Sequence, residues 1–333
     1  MSSVETISLC SHLSSTMDDV FSDINANASL QLEQQELHIL SASSTAEALE
    51  LVIFCDLTVK QFLALLEQCQ IALKAFNQRN HRLNRSSLRF SVRAEDLTKA
   101  RIALSDFCLA EQCEAALVEN APKLTEQGLL VMDMDSTTIE IECIDEIAKL
   151  AGVGEQVAEV TERAMQGELD FAESLHHRVA TLANAPDSIL AAVAQDIPLM
   201  DGLVELIDEL KQHNWKIAIA SGGFTYFADH LKHMLSLDDA VANTLEIVNG
   251  KLTGKVLGAV IDANAKADTL KNLSEKYHIS PTQTVAMGDG ANDLVMMEAA
   301  HLGVAFRAKP IVQSKADSAL HLSGLSGMVH WLK

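Results

Sequence analysis

The sequence predicts an α/β protein with a mostly parallel sheet, a helical insert after the first strand of that sheet, and an α+β unit in front of it. Short apolar runs alternate with helical stretches from Leu129 onward, which predicts a sheet covered by helices on both faces. The preceding part has the order strand, helix, strand, strand, helix, strand, which is typical of the ferredoxin-like fold. A length of 333 residues suits two or three such units.

In the first half of the chain, six segments carry the pattern of a strand or a helix. The predicted strands are Glu50–Cys55, a weaker one at Asn80–Leu83, Ser87–Arg93 and Glu114–Glu119, and the predicted helices are Thr58–Ala75 and Asp96–Phe107. Before them, Leu37–Leu40 is a possible strand and residues 1–45 are otherwise unassigned. The run Asn120-Ala121-Pro122 predicts a boundary, which gives an N-terminal domain at 1–120 and a second domain at 121–333.

The second half begins with the apolar run Leu129–Met132, typical of a strand buried on both faces. Further strands are predicted at Lys216–Ala220, Thr284–Met287 and Leu302–Phe306, and a helix at Asn264–Lys276. Between the first strand and Pro198 the pattern is helical, and a capping box of Asp170 and Glu173 opens one of the helices. We therefore expect a helical cap at about residues 140–200 that acts as a lid.

Composition excludes several classes of function. The formal net charge of −21 argues against nucleic acid and anionic membranes as partners. No apolar run reaches the roughly 18 residues of a membrane span, and the N-terminus lacks the pattern of a secretion signal. The six cysteines show neither paired nor zinc-ligand spacing. We expect a cytoplasmic protein with reduced thiols.

Two acids stand directly at the end of the first parallel strand. Asp133 and Asp135 are separated by one residue, so in an extended chain they lie on the same side and repel unless a cation or a proton intervenes. The carboxyl ends of parallel strands are where α/β proteins place their sites. The pattern favours a divalent metal site, although such a pair can equally begin a turn.

A phosphate-binding segment is predicted after the strand Lys216–Ala220. Ser221-Gly222-Gly223 occupies an expected strand-to-helix turn, where backbone N–H groups and the start of the helix favour an anion. The same residues are also ordinary turn residues.

Another acidic run, Gly288–Asp293, follows the strand Thr284–Met287, and Lys266 lies on the predicted helix Asn264–Lys276. Helix capping is the alternative for Asp289 or Asp293, and solvation for the lysine. Carboxylates without sulfur or imidazole suit Mg²⁺, which commonly takes a substrate phosphate as a further ligand.

Together these segments resemble the four motifs of the haloacid dehalogenase superfamily, in the same order and over roughly residues 129–310. The motifs are Asp133-Met134-Asp135-Ser136-Thr137, Ser221, Lys266 and Gly288-Asp289-Gly290-Ala291-Asn292-Asp293. Within the superfamily, the segment around Glu142 and the segment from Met165 to Arg178 resemble those of the phosphoserine phosphatases. The resemblance implies a Rossmann-like core with a helical cap. The first domain resembles small-molecule sensors of the ACT type.

The resemblance implies hydrolysis of O-phosphoserine to serine and phosphate, the final step of serine biosynthesis, through an aspartyl-phosphate. Asp133 is then the nucleophile and Asp135 the general acid and base. Mg²⁺ is held by the side chains of Asp133 and Asp289 and the backbone carbonyl of Asp135. The other implied roles are phosphoryl binding by Ser221, Gly222, Lys266 and Asn292, ammonium binding by Glu142, carboxylate binding by Arg178, covering of the pocket by Phe171 and Met165, and orientation of Lys266 or of metal-bound water by Asp293.

Without the resemblance, the cap residues have simpler explanations. Glu142 fits a surface acid, Arg178 a salt-bridge partner, and Phe171 and Met165 ordinary core residues. The adjacent His176 and His177 fit exposed helix positions better than a metal or base role.

Two further functions fit part of the sequence. A phosphatase for another small phosphomonoester, such as phosphohomoserine, keeps the core motifs, whereas Glu142 and Arg178 together indicate an amino-acid substrate. An amino-acid-binding regulatory protein fits the ACT-like domain, but the complete acidic set with Lys266 favours catalysis. Because small ferredoxin-like sheets expose edge strands, a homodimer through the N-terminal domain is a further expectation.

Overall fold

A computed structural model describes residues 5–43, 47–165 and 168–333, without the side chains of 41–43 and 165. Two compact units make up the chain. The first consists of Met1–Thr125 with Val304–Lys333, and the second of Glu126–Gly303. The first boundary lies five residues from the expected one, and the C-terminal segment belongs to the first unit. The functional division into 1–120 and 121–333 stays a prediction.

The first unit contains a seven-stranded sheet with the strand order β1-β3-β2-β5-β6-β4-β7. Its strands are β1 Glu5–Ser8, β2 Ala28–Glu33, β3 Glu36–Ser43, β4 Leu49–Ile53, β5 Ile71–Arg82, β6 Arg85–Ala94 and β7 Ala115–Glu119, and its helices are α1 Met17–Val20, α2 Val59–Gln68 and α3 Leu97–Glu111. From β4 to β7 the order is strand, helix, strand, strand, helix, strand, with antiparallel pairing throughout. The predicted ferredoxin-like arrangement is therefore confirmed.

The helix predicted at Thr58–Ala75 is wrong in its second half. It begins with a capping box at Thr58 and ends at Gln68, because Gln70 adopts a left-handed conformation with φ 51°. The chain then continues as β5, whose last three residues overlap the weak strand predicted at Asn80–Leu83, while Leu83 lies in the turn to β6. Strands β1 and β2 were not predicted, and the possible strand Leu37–Leu40 lies within β3.

A buried ion pair holds the C-terminal residues within the first unit. Arg89 is fully buried and donates to the Glu50 carboxylate at 2.9 Å. The same guanidinium donates to the backbone carbonyls of His330 at 3.0 Å and Leu332 at 2.6 Å. Lys333 contributes a second cation to Glu50 at 3.2 Å. One arginine thus satisfies both a buried carboxylate and the carbonyls of the terminal segment.

The second unit has the α/β alternation that the sequence predicts. Its strands are β8 Leu129–Met132, β9 Lys216–Phe224, β10 Asp239–Val248, β11 Lys251–Leu257 and β12 Thr284–Gly288, and its helices are α4 Cys143–Ala151, α5 Gly154–Met165, α6 Phe171–Thr181, α7 Ser188–Gln195, α8 Leu203–Gln212, α9 Thr225–Leu235, α10 Ala263–Lys276 and α11 Leu294–Ala299. The strand order is β11-β10-β9-β8-β12, continued by β13 Leu302–Phe306. A short helix, α12 Pro310–Gln313, and β14 Ser318–Leu320 follow in the first unit.

Strand β8 lies between β9 and β12 and pairs in parallel with both. All four of its residues are fully buried, as expected of a central strand whose faces are both covered by helices. The helical cap is confirmed as α4 to α7, and the capping box of Asp170 and Glu173 opens α6. The antiparallel hairpin β10–β11 was not predicted, although Asn249-Gly250 between two short alternating segments is a typical sequence for a two-residue hairpin turn.

Within the described residues, no helix is long and apolar enough to cross a membrane. All six cysteines lie in the described part of the chain and are free thiols, which agrees with their irregular spacing.

We predict that Arg89→Ala lowers the free energy of unfolding of the first unit by about 3–5 kcal/mol, because it leaves a buried carboxylate and buried carbonyls without a donor. Arg93→Ala is the matched control, since Arg93 pairs with Glu47 on the surface, where a loss of under about 1 kcal/mol is expected. Urea unfolding followed by Trp331 fluorescence, in a Trp215→Phe background, measures the first unit, because the chain has two tryptophans. Equal losses in both variants would contradict the assignment.

Candidate active site

Neighbouring parallel strands bring together the acids of two distant motifs. In the pairing of β8 with β12, Met132 lies opposite Met287. Asp133 follows the first of these residues directly, and Asp289 lies two residues beyond the second. The Asp133 N–H donates to the Met287 carbonyl at 2.9 Å, which extends the ladder by one residue. The two carboxylates therefore meet at one edge of the sheet because their strands end there.

Three carboxylates form a tight cluster at this edge. Ligand atoms of Asp133, Asp289 and Asp293 all lie within 4.8 Å of one another. Burial comes first, and the charge of Asp133 second, in raising the pKa of Asp289 above its usual range. A set of carboxylate oxygens without sulfur or imidazole fits a hard divalent cation. Such an ion would relieve the repulsion that the cluster builds up.

Lys266 is the cation that the chain itself supplies to the cluster. Its Nζ lies 2.8 Å from Asp133 Oδ1 and 2.7 Å from Asp293 Oδ1, and the residue is fully buried. Burial opposes the charge of the ammonium, but the two carboxylates outweigh it and raise the pKa of Lys266. The lysine is thus a fixed positive charge beside Asp133. The expectation of a solvated lysine on α10 is excluded.

Asp135 occupies a different environment from Asp133. One of its carboxylate oxygens accepts the Cys143 backbone N–H at 3.3 Å. Burial, followed by the charges of Glu142 and Asp133, raises the pKa of Asp135 to about 8. One acid of the pair therefore lies beside an ammonium, while the other is buried near the charges of Glu142 and Asp133. The side chain of Asp135 is not part of the three-carboxylate cluster, in keeping with the prediction that its backbone carbonyl, not its carboxylate, serves a metal.

The second motif differs from the expected strand-to-helix turn. Strand β9 continues through Ser221, Gly222 and Gly223 to Phe224, and α9 begins only at Thr225. The turn prediction was wrong because these residues bulge out of the β9–β10 ladder without ending the strand. Ser221 is buried, and its Oγ accepts the Gly223 N–H at 2.9 Å.

Glycines give this segment its close contacts. A Cβ on Gly223 would come within 3.0 Å of Asp135 Oδ2, and one on Gly222 within 2.5 Å of the Phe171 ring. The second motif therefore lies against both the first motif and the cap. Phe171 itself is half-buried.

The fourth motif folds its last acid back onto its own backbone. Asp293 Oδ2 accepts the Gly290 N–H at 3.0 Å, while Oδ1 binds Lys266. A Cβ on Gly288 or Gly290 would collide with Asp293 or Asn292, respectively, which is why this run needs glycines. Asn292 is half-buried. Both oxygens of Asp293 are engaged, so this residue fits a role in holding Lys266 better than one as a metal ligand.

Two charged residues of the cap lie near the acidic cluster. Glu142 is exposed as a residue, but its Oε1 accepts the Ser136 hydroxyl at 2.8 Å. Desolvation of the carboxylate, with the charges of Asp289 and Asp133, raises the pKa of Glu142. The Nε of Arg178 is buried, and it donates a hydrogen bond to no acceptor among the described residues. Burial lowers the pKa of Arg178, while nearby acids, Asp145 foremost, act in the opposite direction.

The remaining predicted residues divide into two groups. His176 and His177 are exposed on α6, as expected of surface positions. The side chain of Met165 lies outside the described residues, so its predicted place over the pocket stays a prediction.

Sequence reasoning missed two supporting hydroxyls. Thr137 Oγ1 donates to Asp289 Oδ1 at 3.0 Å, and Thr138 donates to the Asp133 carbonyl. Both residues are fully buried. The sequence signal for them is the run of hydroxyl residues Ser136-Thr137-Thr138 directly after Asp135.

Comparison with known families agrees with the architecture of this site. The model of the haloacid dehalogenase-like hydrolases matches residues 128–301. This range begins just before β8 and ends just before β13, so it includes all four motifs and the whole cap.

Several relatives match a larger part of the chain. A phosphoserine phosphatase of Vibrio cholerae serotype O1 is 60% identical over 66% of this chain and 67% of its own length. The crystal structure of a probable phosphoserine phosphatase from Vibrio cholerae, in unliganded form, has a TM-score of 0.71 at 48% identity, covering 87% of this chain and 88% of that one. A haloacid dehalogenase family hydrolase from Salmonella enterica serovar Typhi has a TM-score of 0.76 at 30% identity, covering 86% and 99%. A family model that matches about half of the chain, together with relatives of this identity, shows that the chain belongs to the haloacid dehalogenase-like hydrolases.

Proposed function

We propose that this hydrolase converts O-phosphoserine and water to serine and phosphate, the final step of serine biosynthesis. The observation that carries the proposal is the environment of Asp133, which lies at a strand end between a buried ammonium and a carboxylate cluster. Relatives named phosphoserine phosphatase are up to 60% identical. The amino-acid part of the substrate is supported by the acid and the arginine of the cap.

Asp133 is the proposed nucleophile. Its carboxylate oxygen attacks phosphorus, the bond to the serine oxygen breaks, and an aspartyl-phosphate forms. Water then cleaves this intermediate to give phosphate and restore the carboxylate. Lys266 pairs with the Asp133 carboxylate at 2.8 Å and balances the charge of the phosphoryl group. The same ammonium stays fixed because Asp293 holds it from the other side.

Asp135 is the proposed general acid and base. In its protonated form it gives a proton to the departing serine oxygen, and afterwards it takes a proton from the attacking water. Burial, followed by the acids around it, favours the protonated form, whereas the neighbouring Asp133 is paired with an ammonium. Two carboxyl groups with different surroundings are thereby suited to two different roles.

Mg²⁺ is the proposed cofactor, held by Asp133 and Asp289 and by the backbone carbonyl of Asp135. When bound, this ion would neutralise charge on the phosphoryl oxygens and orient the substrate. Thr137 steadies the Asp289 carboxylate for this task. Ser221, the Gly222 amide and Asn292 are the proposed uncharged partners of the phosphoryl oxygens.

Substrate recognition is assigned to the cap. Arg178 is proposed to bind the substrate carboxylate, because its buried Nε lacks a described acceptor and a guanidinium binds a carboxylate with two hydrogen bonds. Glu142 is proposed to bind the ammonium group. Phe171, packed on Gly222, and Met165 are proposed to cover the pocket and exclude water. A homodimer through the N-terminal domain stays a prediction.

We predict that Asp133→Asn abolishes turnover without unfolding the protein, because an amide cannot attack phosphorus. Beryllofluoride, a phosphate mimic, should raise the melting temperature of the wild type and not of this variant. Asp208→Asn, an exposed change on α8, is the control and should retain full activity. Turnover of Asp133→Asn above a few per cent of wild type would rule out the assignment.

Arg178→Ala should impair phosphoserine hydrolysis far more than hydrolysis of phosphoethanolamine, which has no carboxylate. Loss of a charge-assisted pair in a closed pocket is worth about 2–4 kcal/mol, or roughly 30-fold to 1,000-fold in kcat/KM. Arg163→Ala, which removes an exposed cap arginine paired with Glu168, should change neither substrate. Equal losses on both substrates would mean that Arg178 is structural.

Activity should require Mg²⁺ and be inhibited by Ca²⁺. The larger ion takes more oxygen ligands at longer distances, which would let both oxygens of Asp133 bind the metal and turn the nucleophile away from phosphorus. Initial rates in chelator, and then with each ion added back, measure this. Full activity in excess chelator would remove the metal from the proposal.

A further inference from the structure

The ladder between β9 and β10 is interrupted beside the phosphate-binding segment. Val241 lies opposite Ala220, and Asn243 lies opposite Phe224. Three residues of β9, Ser221 to Gly223, therefore face a single residue of β10. In such a bulge, backbone groups leave the regular ladder and need other partners.

The Asn243 side chain supplies one of these partners. It is 1% exposed, and its Nδ2 donates to the Gly222 carbonyl at 2.8 Å. Its Oδ1 accepts the Ile261 N–H at 2.8 Å. Because a carbonyl only accepts and a backbone N–H only donates, these contacts fix the orientation of the amide.

From Gly222 a continuous set of hydrogen bonds leads to the Ser221 hydroxyl. The Gly222 carbonyl shares a rigid peptide plane with the Gly223 N–H. That N–H donates to Ser221 Oγ at 2.9 Å. With this acceptor position of Oγ occupied, the hydroxyl hydrogen remains available to donate to a ligand. Asn243 is thus connected to the Ser221 hydroxyl through a single peptide group.

In the other direction, Asn243 is connected to the helix that carries Lys266. Ile261 immediately precedes Asp262, which is the N-cap of α10 and accepts the Ala265 N–H at 2.9 Å. The Lys266 N–H donates to the Asp262 carbonyl at 3.0 Å. One amide therefore links the serine and the lysine motifs, which lie 45 positions apart in the chain.

We propose that Asn243 is a positioning residue of the phosphoryl site. It sets the Ser221 hydroxyl through the Gly222–Gly223 peptide and fixes the start of the Lys266 helix through Ile261. The inference rests on the proposed function, since it assigns phosphoryl binding to Ser221 and Lys266. If Asn243 only filled space in the bulge, it would need neither of these hydrogen bonds. Its replacement would then lower stability, and it would not weaken phosphoryl binding more than binding of the amino-acid part of the substrate.

The first test compares Asn243→Asp, Asn243→Ala and the control Thr244→Ala. The aspartate keeps the shape and the acceptor but lacks the donor to Gly222, while alanine removes both bonds without adding charge. Thr244 is the exposed neighbour on β10. We expect kcat for phosphoserine to fall roughly 10- to 100-fold in both Asn243 variants and to change less than about twofold in the control. Inhibition by L-serine, which occupies the amino-acid part of the pocket, should also stay within about twofold.

A double-mutant cycle with Ser221→Ala separates positioning from simple loss of stability. Once the hydroxyl is absent, replacing Asn243 should cost at least about fivefold less in kcat than it does in the wild type. Additive effects, or a parallel loss of L-serine affinity, would overturn the proposal. If an Asn243 variant unfolds, as judged by melting temperature, the other variant provides the cycle; unfolding of both would show a structural role and also overturn it.

The same cycle is measured with p-nitrophenyl phosphate, which has no amino-acid part. If the wild type cleaves this compound and not phosphoserine, the proposed substrate is wrong, but the coupling between Asn243 and Ser221 is still measured. A normal phosphoserine rate with no such coupling would overturn the positioning role alone.

Discussion

The site depends on one fully buried ammonium, that of Lys266, between the carboxylates of Asp133 and Asp293. An isolated charge in this position would be strongly unfavourable. The arrangement is stable because both partners are held rigidly, Asp133 by the strand end and Asp293 by the Gly290 amide. The positions of the Asp133 carboxylate and of the lysine ammonium are therefore determined together.

Around these three residues, the parallel sheet brings together segments that are distant in the sequence. Strands β8, β9 and β12 are adjacent, so the residues that follow each of them converge on one edge. The hairpin β10–β11 extends this arrangement in two directions. Asn243 reaches the serine segment, while the Leu252 and Gly250 carbonyls accept N–H groups of Asn184 and Asp187 from the loop between α6 and α7. The hairpin thereby supports both the bottom of the site and the end of the cap helix that carries Arg178.

The first unit also contains a buried cation that serves several acceptors, the guanidinium of Arg89. Arg89 satisfies Glu50 and the carbonyls of the terminal residues at once. A buried arginine that serves several acceptors confers specificity, because any other path of the terminal segment would leave these groups without partners. The C-terminal residues are consequently part of the first unit, although they come last in the chain.

The sequence by itself determined the fold class, the ferredoxin-like order, the helical cap and the acids at the strand ends. These features depend on local patterns: apolar runs, capping boxes, and acids placed at strand ends. Tertiary structure decided what no local pattern records. Helix α2 ends at Gln68, and strand β9 continues past Ser221. Lys266 is buried, although the sequence of its helix is typical of a solvated one. Tertiary structure also decided the partners of Asn243, because a buried amide is satisfied by backbone groups whose positions arise only when β9, β10 and α10 pack together.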